Sequence, residues 1–352
     1  MSKAVPVAVG ALALVTIGIV AWVMTLVPST ILGSEPQQSL GPTPTSGVAT
    51  VTIAKGDNAK KIAEELQDAG VIQSARLFRV LVAFMDIENE LQAGSYEFDK
   101  GMTTVAVIDR IHKGVTAPLM VTIPEGLRVE EIGALLEEKG VVSKSEFMSA
   151  LKDDYGKSFL PDDAADDNLE GYLFPATYGF SRNTTGHQAV EEMLDAFDEQ
   201  VVTEIQPELD GTGLTLDQVI TLASIVEREA EKPEERPLIA SVFLNRMKVG
   251  MALQADPTVQ FALASDPASV TLNGYWKKEL SLDDLNVDSP YNTYEVTGLP
   301  PGAIACPGLD SIRAVVRPAQ TNYLFFVAKG DGSHAFAETL EEQLRNVQLY
   351  QH

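Results

Sequence analysis

A short pattern of residues occurs twice in the chain, 70 positions apart, and it restricts the fold at both places. The first copy, VTIAKGDNAKKIAEELQDAGVI, begins at Val51, and the second, VTIPEGLRVEEIGALLEEKGVV, begins at Val121. In each copy the opening residues predict a short strand, a glycine predicts a turn, and apolar residues four apart predict an amphipathic helix. Gly70 and Gly140 are placed to cap these helices at their C-termini. Two copies are too few for a solenoid, so we expect two strand-helix units.

A second pattern predicts a long apolar helix in the middle of the chain. Thr215 and Gln218 form a capping box, so we expect the helix to begin there. One apolar stripe follows at spacings of three and four residues, made of Val219, Leu222, Ala223, Val226 and Ala230. Two acids near its end, Glu227 and Glu229, lie on the flanks of this stripe. A carboxyl half-buried against aliphatic side chains has a raised pKa, as a general acid near neutral pH requires.

The two acids also fit a simpler interpretation, as the solvated flank of an ordinary amphipathic helix. Periodicity does not distinguish the two interpretations. Residues two apart on a helix do not face each other, so Glu227 and Glu229 do not form a cooperating pair. A hydrolase that uses two carboxylates would need its second acid from elsewhere, for which Asp256 and Glu170 are candidates.

An uncharged apolar run from Ala4 to Val27 is long enough to cross a bilayer. A cleaved signal peptide is the alternative, but its apolar core spans only about 7–15 residues and precedes a small-residue cleavage site. The segment that follows, to about residue 47, is rich in Pro, Ser, Gly and Thr and predicts a flexible tether. We therefore expect a single-pass protein of the cell membrane, with a cytoplasmic N-terminus and with the chain after Pro28 outside the cytoplasm.

The charge of the chain disfavours nucleic acid as a partner. Lys and Arg together number 26 against 50 Asp and Glu, which gives a net charge of −24. The single cysteine, Cys306, allows no internal disulfide. The four histidines do not cluster at the spacing of metal ligands, and we expect neither a metal nor a cofactor.

Two long segments carry a resemblance to a known family. They read LASIVEREAEKPEERPLIASVFLNRMKVGMALQADPTVQFAL, from Leu222, and SPYNTYEVTGLPPGAIACPGLDSIRAVVRPAQTNYLFFVAKGDGSHAF, from Ser289. The chain resembles the YceG-like (MltG) family of endolytic murein transglycosylases along its whole length. In that family the second Glu of the Ile-x-Glu-x-Glu motif is the catalytic acid, so the resemblance implies that Glu229 has this role here.

Three further segments hold candidate substrate contacts. QADPT, from Gln254, matches the family's Q-T/A-D-P-T, and a Pro- and Gly-rich loop follows from Pro290 to Gly308. LEGYLFPATYGF, from Leu169, has Ala176 where the family commonly has Asp in FPDTY. An Asp-Pro turn and an aromatic core are the structural alternatives for the first and third segments. The candidate substrate-binding residues are Glu227, Gln254, Asp256, Thr258, Asn292, Tyr294, Glu170 and Tyr178.

The expected architecture is α+β, with an N-terminal transmembrane helix, a small LysM-like module and a larger α+β catalytic domain. We place the anchor in residues 1–28, the linker in 29–48, the module in 49–118 and the YceG-like catalytic domain in 119–352. The resemblance implies that the module is LysM-like, a type that grips N-acetylglucosamine-containing glycans. A folded spacer without sugar affinity is an equal alternative.

The resemblance implies a function in cell-wall assembly and in control of glycan strand length. The expected reaction cleaves the bond between N-acetylmuramic acid (MurNAc) and N-acetylglucosamine (GlcNAc) within peptidoglycan strands and forms 1,6-anhydro-MurNAc. The resemblance also implies work alongside peptidoglycan synthases. Two other functions remain open: a non-catalytic wall-binding or division-scaffold protein, and a lysozyme that uses water.

Overall fold

The computed structural model describes residues 47–114, 117–161, 169–181 and 183–351. The predicted anchor, Ala4 to Val27, and nearly all of the predicted tether lie outside these residues. Within the described ranges, none of the helices has the length and apolar character needed to span a bilayer.

The first strand-helix unit belongs to a small module with its own core. Its elements are β1 (Val48–Ile53), α1 (Ala59–Asp68), α2 (Ala75–Phe84), β2 (Gly94–Asp99) and α3 (Thr104–His112). The two strands pair antiparallel, from Val48 opposite Asp99 to Ile53 opposite Gly94. Apolar side chains from all five elements close this core, including Ile62, Phe78, Tyr96 and Ile108.

The second unit opens the larger part of the protein. Its first elements are β3 (Leu119–Thr122), α4 (Val129–Glu138), α5 (Lys144–Ala150), β4 (Thr177–Phe180), α6 (Gly186–Phe197) and α7 (Thr203–Thr212). A π-helical turn, Asp198–Val202, joins the last two helices. Strands β3 and β4 pair antiparallel.

The remaining elements surround one central helix, α8 (Leu216–Glu229). They are α9 (Arg236–Val249), α10 (Asp256–Leu263), α11 (Pro267–Asn273), α12 (Leu309–Val316), β5 (Phe325–Ala328), β6 (His334–Ala337) and α13 (Leu340–Tyr350). Helix α8 packs on α9, α10 and α12, and all eight residues from Val219 to Val226 are buried. Strands β5 and β6 form an antiparallel hairpin on which α13 packs. The described architecture is thus a mixture of helices with three two-stranded sheets, which confirms the α+β class.

The predicted helix start at Thr215 and the predicted helix ends at Gly70 and Gly140 are confirmed. The Thr215 hydroxyl accepts a hydrogen bond from the backbone N–H of Gln218, and the Gln218 side-chain oxygen accepts one from the backbone N–H of Thr215. The predicted capping box therefore begins α8. Gly70 and Gly140 both have positive φ directly after their helices. The alternative of a polar turn at QADPT is wrong, because α10 starts at Asp256 with proline in its first turn.

Candidate active site

Three consecutive side chains at the end of α8 have three different environments. Helix α8 ends at Glu229 because Ala230 adopts an extended conformation. The Glu227 carboxylate accepts hydrogen bonds from Arg236 and from the Gly308 backbone. Arg228 donates to the Gly126 carbonyl and stacks on Trp276, with 3.8 Å from its guanidinium carbon to the ring centroid. Glu229 lines a cleft to which neither Glu227 nor Arg228 contributes.

The cleft beside Glu229 has a volume of about 300 Å³, at the lower end of the range for small-ligand sites. Helices α8, α9, α10 and α13, the β5–β6 hairpin and the loop before α12 all contribute to its walls. The lining residues are Glu229, Arg246, Gln254, Asp256, Tyr294, Phe326, Val327, Ala328, His334, Gln343, Val347 and Gln351. Sequence positions more than 100 residues apart therefore meet around one carboxyl group.

The surroundings of the Glu229 carboxyl group favour its protonated form near neutral pH. The residue is half-buried, and none of the described residues forms a hydrogen bond or ion pair with its side chain. Burial, and then the negative charge of Asp256, raise its pKa to about 8 against the lowering effect of Arg246. A carboxylic acid in this state donates a proton at neutral pH, as a general acid must.

Arg246 supports this corner of the cleft from α9. Its Nε donates to the Leu324 carbonyl over 2.7 Å, and its Nη1 donates to the Leu253 carbonyl over 2.6 Å. These bonds join the residue before β5 and the segment before α10 to the same guanidinium. Arg246 was not among the predicted site residues, although a charged residue on the buried stripe of Ile239, Val242 and Phe243 is a recognisable signal.

Three of the predicted substrate-binding residues lie in the cleft with Glu229. The Tyr294 hydroxyl donates to Asp256 Oδ1 over 2.6 Å. Burial and this hydrogen bond raise the pKa of Tyr294, so the phenol stays protonated. Gln254 has φ of +48°, a strained value for a residue other than glycine, and it is exposed at the cleft. The structure brings together Glu229, Gln254, Asp256 and Tyr294.

Two further polar residues line the cleft. His334 is held by Glu235, which accepts from both its backbone nitrogen and its Nδ1. Gln343 donates through Nε2 to the Phe326 carbonyl, while its Oε1 is buried and has no hydrogen-bond partner among the described residues. Neither residue was predicted to belong to the site, because neither strand nor helix periodicity indicates which distant elements pack together.

Glu227 lies outside the cleft, in a structural ion pair. Its side chain is 7% exposed, and 3.1 Å separates it from Arg236 Nη2. The second carboxylate oxygen accepts from the Gly308 backbone over 3.0 Å, at the start of α12. Glu227 thus links α8 to the first turn of α9 and the first turn of α12, and the structure favours a role in holding these helices.

Two of the predicted substrate contacts are buried and do not line the cleft. Thr258 Oγ1 donates to the Ala255 carbonyl over 2.7 Å and also hydrogen bonds with Thr293. Asn292 donates to the carbonyls of Leu285 and Val287 and accepts from the Tyr294 backbone. Both residues are fully buried. This arrangement favours a structural role, in which they fix the backbones that present Asp256 and Tyr294.

The other two predicted contacts, Glu170 and Tyr178, are also buried and do not line the cleft. Glu170 Oε2 accepts from the Val129 backbone, and Cys306 approaches Oε1 at 3.7 Å. Burial, followed by the charge of Glu130, raises the pKa of Glu170 to about 8. The Tyr178 hydroxyl donates to the Phe174 carbonyl. Within the described ranges, no three His, Cys, Asp or Glu side chains lie close enough to hold a metal ion together.

Comparison with known proteins assigns the chain to a family. Residues 51–349 match a family model described as the YceG-like family. The chain belongs to the YceG-like family. This confirms the resemblance seen in the sequence and covers both the small module and the part that contains the cleft.

Curated relatives of this YceG-like protein are named endolytic murein transglycosylase. The relative from Bacillus subtilis (strain 168) is 34% identical over 316 residues, which cover 85% of this chain and 84% of the relative. The relative from Streptococcus pneumoniae serotype 2 (strain D39 / NCTC 7466) is 31% identical over 323 residues, which cover 85% of this chain and 57% of the relative.

A solved structure also resembles this YceG-like protein. The crystal structure of a yceG-like protein from Listeria monocytogenes matches with a TM-score of 0.59 at 33% sequence identity. The match covers 85% of this chain and 98% of that chain.

Proposed function

We propose that this YceG-like protein is an endolytic murein transglycosylase with Glu229 as its catalytic acid. The observation that carries the proposal is the position of Glu229, a half-buried carboxyl with a pKa of about 8 in an open cleft. The names of the relatives supply the substrate class, which is the glycan strand of peptidoglycan.

In the proposed reaction, Glu229 protonates the glycosidic oxygen between MurNAc and GlcNAc. The bond from this oxygen to the anomeric carbon breaks, and the 6-hydroxyl of the same MurNAc closes a 1,6-anhydro ring without water. In the minimal mechanism, the carboxylate left on Glu229 takes the hydroxyl proton, so a single acid suffices.

The polar residues around Glu229 suit the recognition of a sugar. Gln254 and Tyr294 supply hydrogen-bonding groups at the cleft, and Asp256 accepts from Tyr294 in the same wall. Because the cleft is open, a strand can enter it along its length, as an enzyme that cuts within strands requires. These contacts, together with Glu229, form the proposed substrate-binding surface.

A water-using lysozyme is the second candidate, because Asp256 lies in the same cleft as Glu229 and is exposed. In that enzyme, Asp256 would be the second carboxylate, which activates water. Mass spectrometry of purified glycan strands after digestion separates the two functions. We expect 1,6-anhydro ends from the wild type and about 10²–10⁴-fold fewer from Glu229→Gln; reducing ends would instead identify the lysozyme.

The N-terminal module is proposed to be LysM-like and to bind glycan. Its order of strand, helix, helix and strand, with the two strands paired, supports this proposal. Binding of the isolated GlcNAc polymer to the protein, with and without residues 49–118, tests it. A loss of binding on removal of the module is the expected result.

The membrane anchor is proposed from the sequence alone, through the apolar run from Ala4 to Val27. An anchored enzyme with an extracytoplasmic cleft would cut strands close to the membrane, where it could set strand length beside peptidoglycan synthases. A reporter fused after Gln38 tests the orientation, and activity of a cytoplasm-only reporter would contradict it.

A further inference from the structure

His334 occupies a defined position at the wall of the cleft. Both oxygens of the Glu235 carboxylate accept from the His334 backbone nitrogen, over 3.0 and 3.1 Å. Oε2 also lies 2.7 Å from His334 Nδ1. The Phe326 ring packs against the imidazole, with the ring centroids 5.3 Å apart and nearly perpendicular planes. The ring therefore has one orientation, fixed by a carboxylate and an aromatic side chain.

This orientation determines what the other ring nitrogen can do. A carboxylate only accepts hydrogen bonds, so the proton of a neutral His334 lies on Nδ1 and leaves Nε2 with a free lone pair. The side chain is 9% exposed, and Nε2 has no hydrogen-bond partner among the described residues. A nearly buried imidazole thus presents an unpaired proton acceptor in a residue that lines the Glu229 cleft.

We infer that His334 is a second catalytic residue, which takes the proton of the attacking sugar hydroxyl at Nε2. The inference rests on the proposed function and assigns to His334 the base step that the minimal mechanism gives to Glu229. Histidine is the side chain used most often for this task, and a carboxylate behind it stabilises the imidazolium that forms. Glu235 is then a positioning residue.

The proposed step is balanced in atoms and electrons. Glu229 gives its proton to the glycosidic oxygen as the bond from that oxygen to the anomeric carbon breaks. The 6-hydroxyl oxygen bonds to the anomeric carbon, and its proton moves to Nε2. The imidazolium afterwards releases a proton and the Glu229 carboxylate regains one, so neither water nor a redox partner is consumed.

The mechanism with His334 as the base and the minimal mechanism, with Glu229 as both acid and base, differ in what Glu229 does after the glycosidic bond breaks. An aryl glycoside of a MurNAc-terminated fragment, with 4-nitrophenol as leaving group, needs no acid because nitrophenolate departs unprotonated. If His334 is the base, Glu229→Gln still releases nitrophenol and forms the anhydro product from this substrate, although it fails on natural strands. If Glu229 is also the base, Glu229→Gln fails on both substrates, and the inference is overturned.

His334→Asn provides the complementary measurement. Its amide nitrogen reaches the place of Nδ1 and keeps the bond to Glu235, while no atom remains at Nε2. We expect release of nitrophenol and of natural anhydro product to fall by about 10²–10⁴-fold, and retention of wild-type kcat on either substrate would overturn the inference. His187→Asn is the matched control, since His187 Nδ1 also lies 2.8 Å from a carboxylate, that of Asp153, outside the cleft.

Glu235→Gln covers the case in which His334→Asn does not fold. The amide keeps an acceptor oxygen for His334 but removes the charge that stabilises imidazolium. We expect kcat to fall with KM unchanged, and an unchanged kcat would count against the inference. Reducing ends from the wild type would instead refute the proposed function itself, so the two failures are distinguishable.

Discussion

Glu227 and Glu229 end the same helix, yet their carboxyl groups lie in different environments. Glu227 is paired with Arg236 and with the Gly308 backbone and does not line the cleft. Glu229 lines the cleft and has no hydrogen-bond partner among the described residues. The first is therefore held in a structural ion pair, and the second is left without a partner from the described part of the chain, at the wall of the cleft.

This difference predicts unequal effects of the same substitution. We expect Glu229→Gln to reduce turnover of glycan strands by about 10²–10⁴-fold with little change in melting temperature, because it removes only the proton donor. Glu227→Gln weakens a largely buried ion pair, so we expect a loss of about 1–3 kcal/mol in stability and a much smaller loss of turnover. Strand digestion and thermal melting of both variants test this, with exposed Glu234→Gln as the control. An inactive Glu227→Gln beside an active Glu229→Gln would contradict the assignment.

The pKa of about 8 for Glu229 predicts how activity depends on pH. The acid must be protonated, so we expect kcat/KM to fall as pH rises through about 8. Asp256→Asn removes a neighbouring negative charge that raises this pKa, and we expect the midpoint of the fall to move to lower pH. Tyr294→Phe removes the hydrogen bond to Asp256 but keeps its charge, and serves as the control with an unshifted midpoint. A profile that stays flat to pH 9 would refute Glu229 as the acid.

Stability is also expected to depend on pH through the two carboxyls with raised pKa values. Glu229 and Glu170 have an ordinary pKa of 4.5 and a pKa of about 8 in the folded protein. Between these values the folded state binds more protons than the unfolded state, so stability falls as pH rises from 4.5 to about 8. We expect Glu229→Gln and Glu170→Gln each to flatten this fall. Melting temperatures measured across this pH range, with Glu234→Gln unchanged from wild type, test the prediction.

Thr258 and Gln254 lie near each other in sequence, but we expect their substitution to have different effects on stability and on KM. Thr258→Val removes a buried hydroxyl bonded to Ala255 and Thr293, so we expect a stability loss of about 1–3 kcal/mol with KM unchanged. Gln254→Ala removes an exposed side chain at the cleft, so we expect a higher KM with little effect on melting. A raised KM in Thr258→Val at low temperature, where it is folded, would restore the idea of a direct contact.

Local features of the fold were predictable because backbone chemistry determines them. The capping box at Thr215 fixes the start of α8, and left-handed glycines such as Gly140 fix the ends of helices. The start of α10 was missed because an Asp-Pro pair suits a turn as well as a first helical turn. Only the packing of α10 on α8 decides between them.

Within the candidate site, the sequence identified residues but not their surroundings. Glu229 was found through the resemblance, since periodicity gave Glu227 and Glu229 the same environment. Asn292 looked like a sugar ligand because polar loop residues are usually exposed, yet its amide binds the backbone of its own loop. His334 reaches the cleft through the β5–β6 hairpin, a tertiary contact with no local signal.

The wall that α13 contributes to the cleft has a consequence for synthesis of the protein. Gln343, Val347 and Gln351 line the same space as Glu229, which precedes them by more than 110 residues. A partly synthesised chain therefore carries the acid without a finished binding site. The space around Glu229 is closed only when the residues beyond 340 have packed against the β5–β6 hairpin.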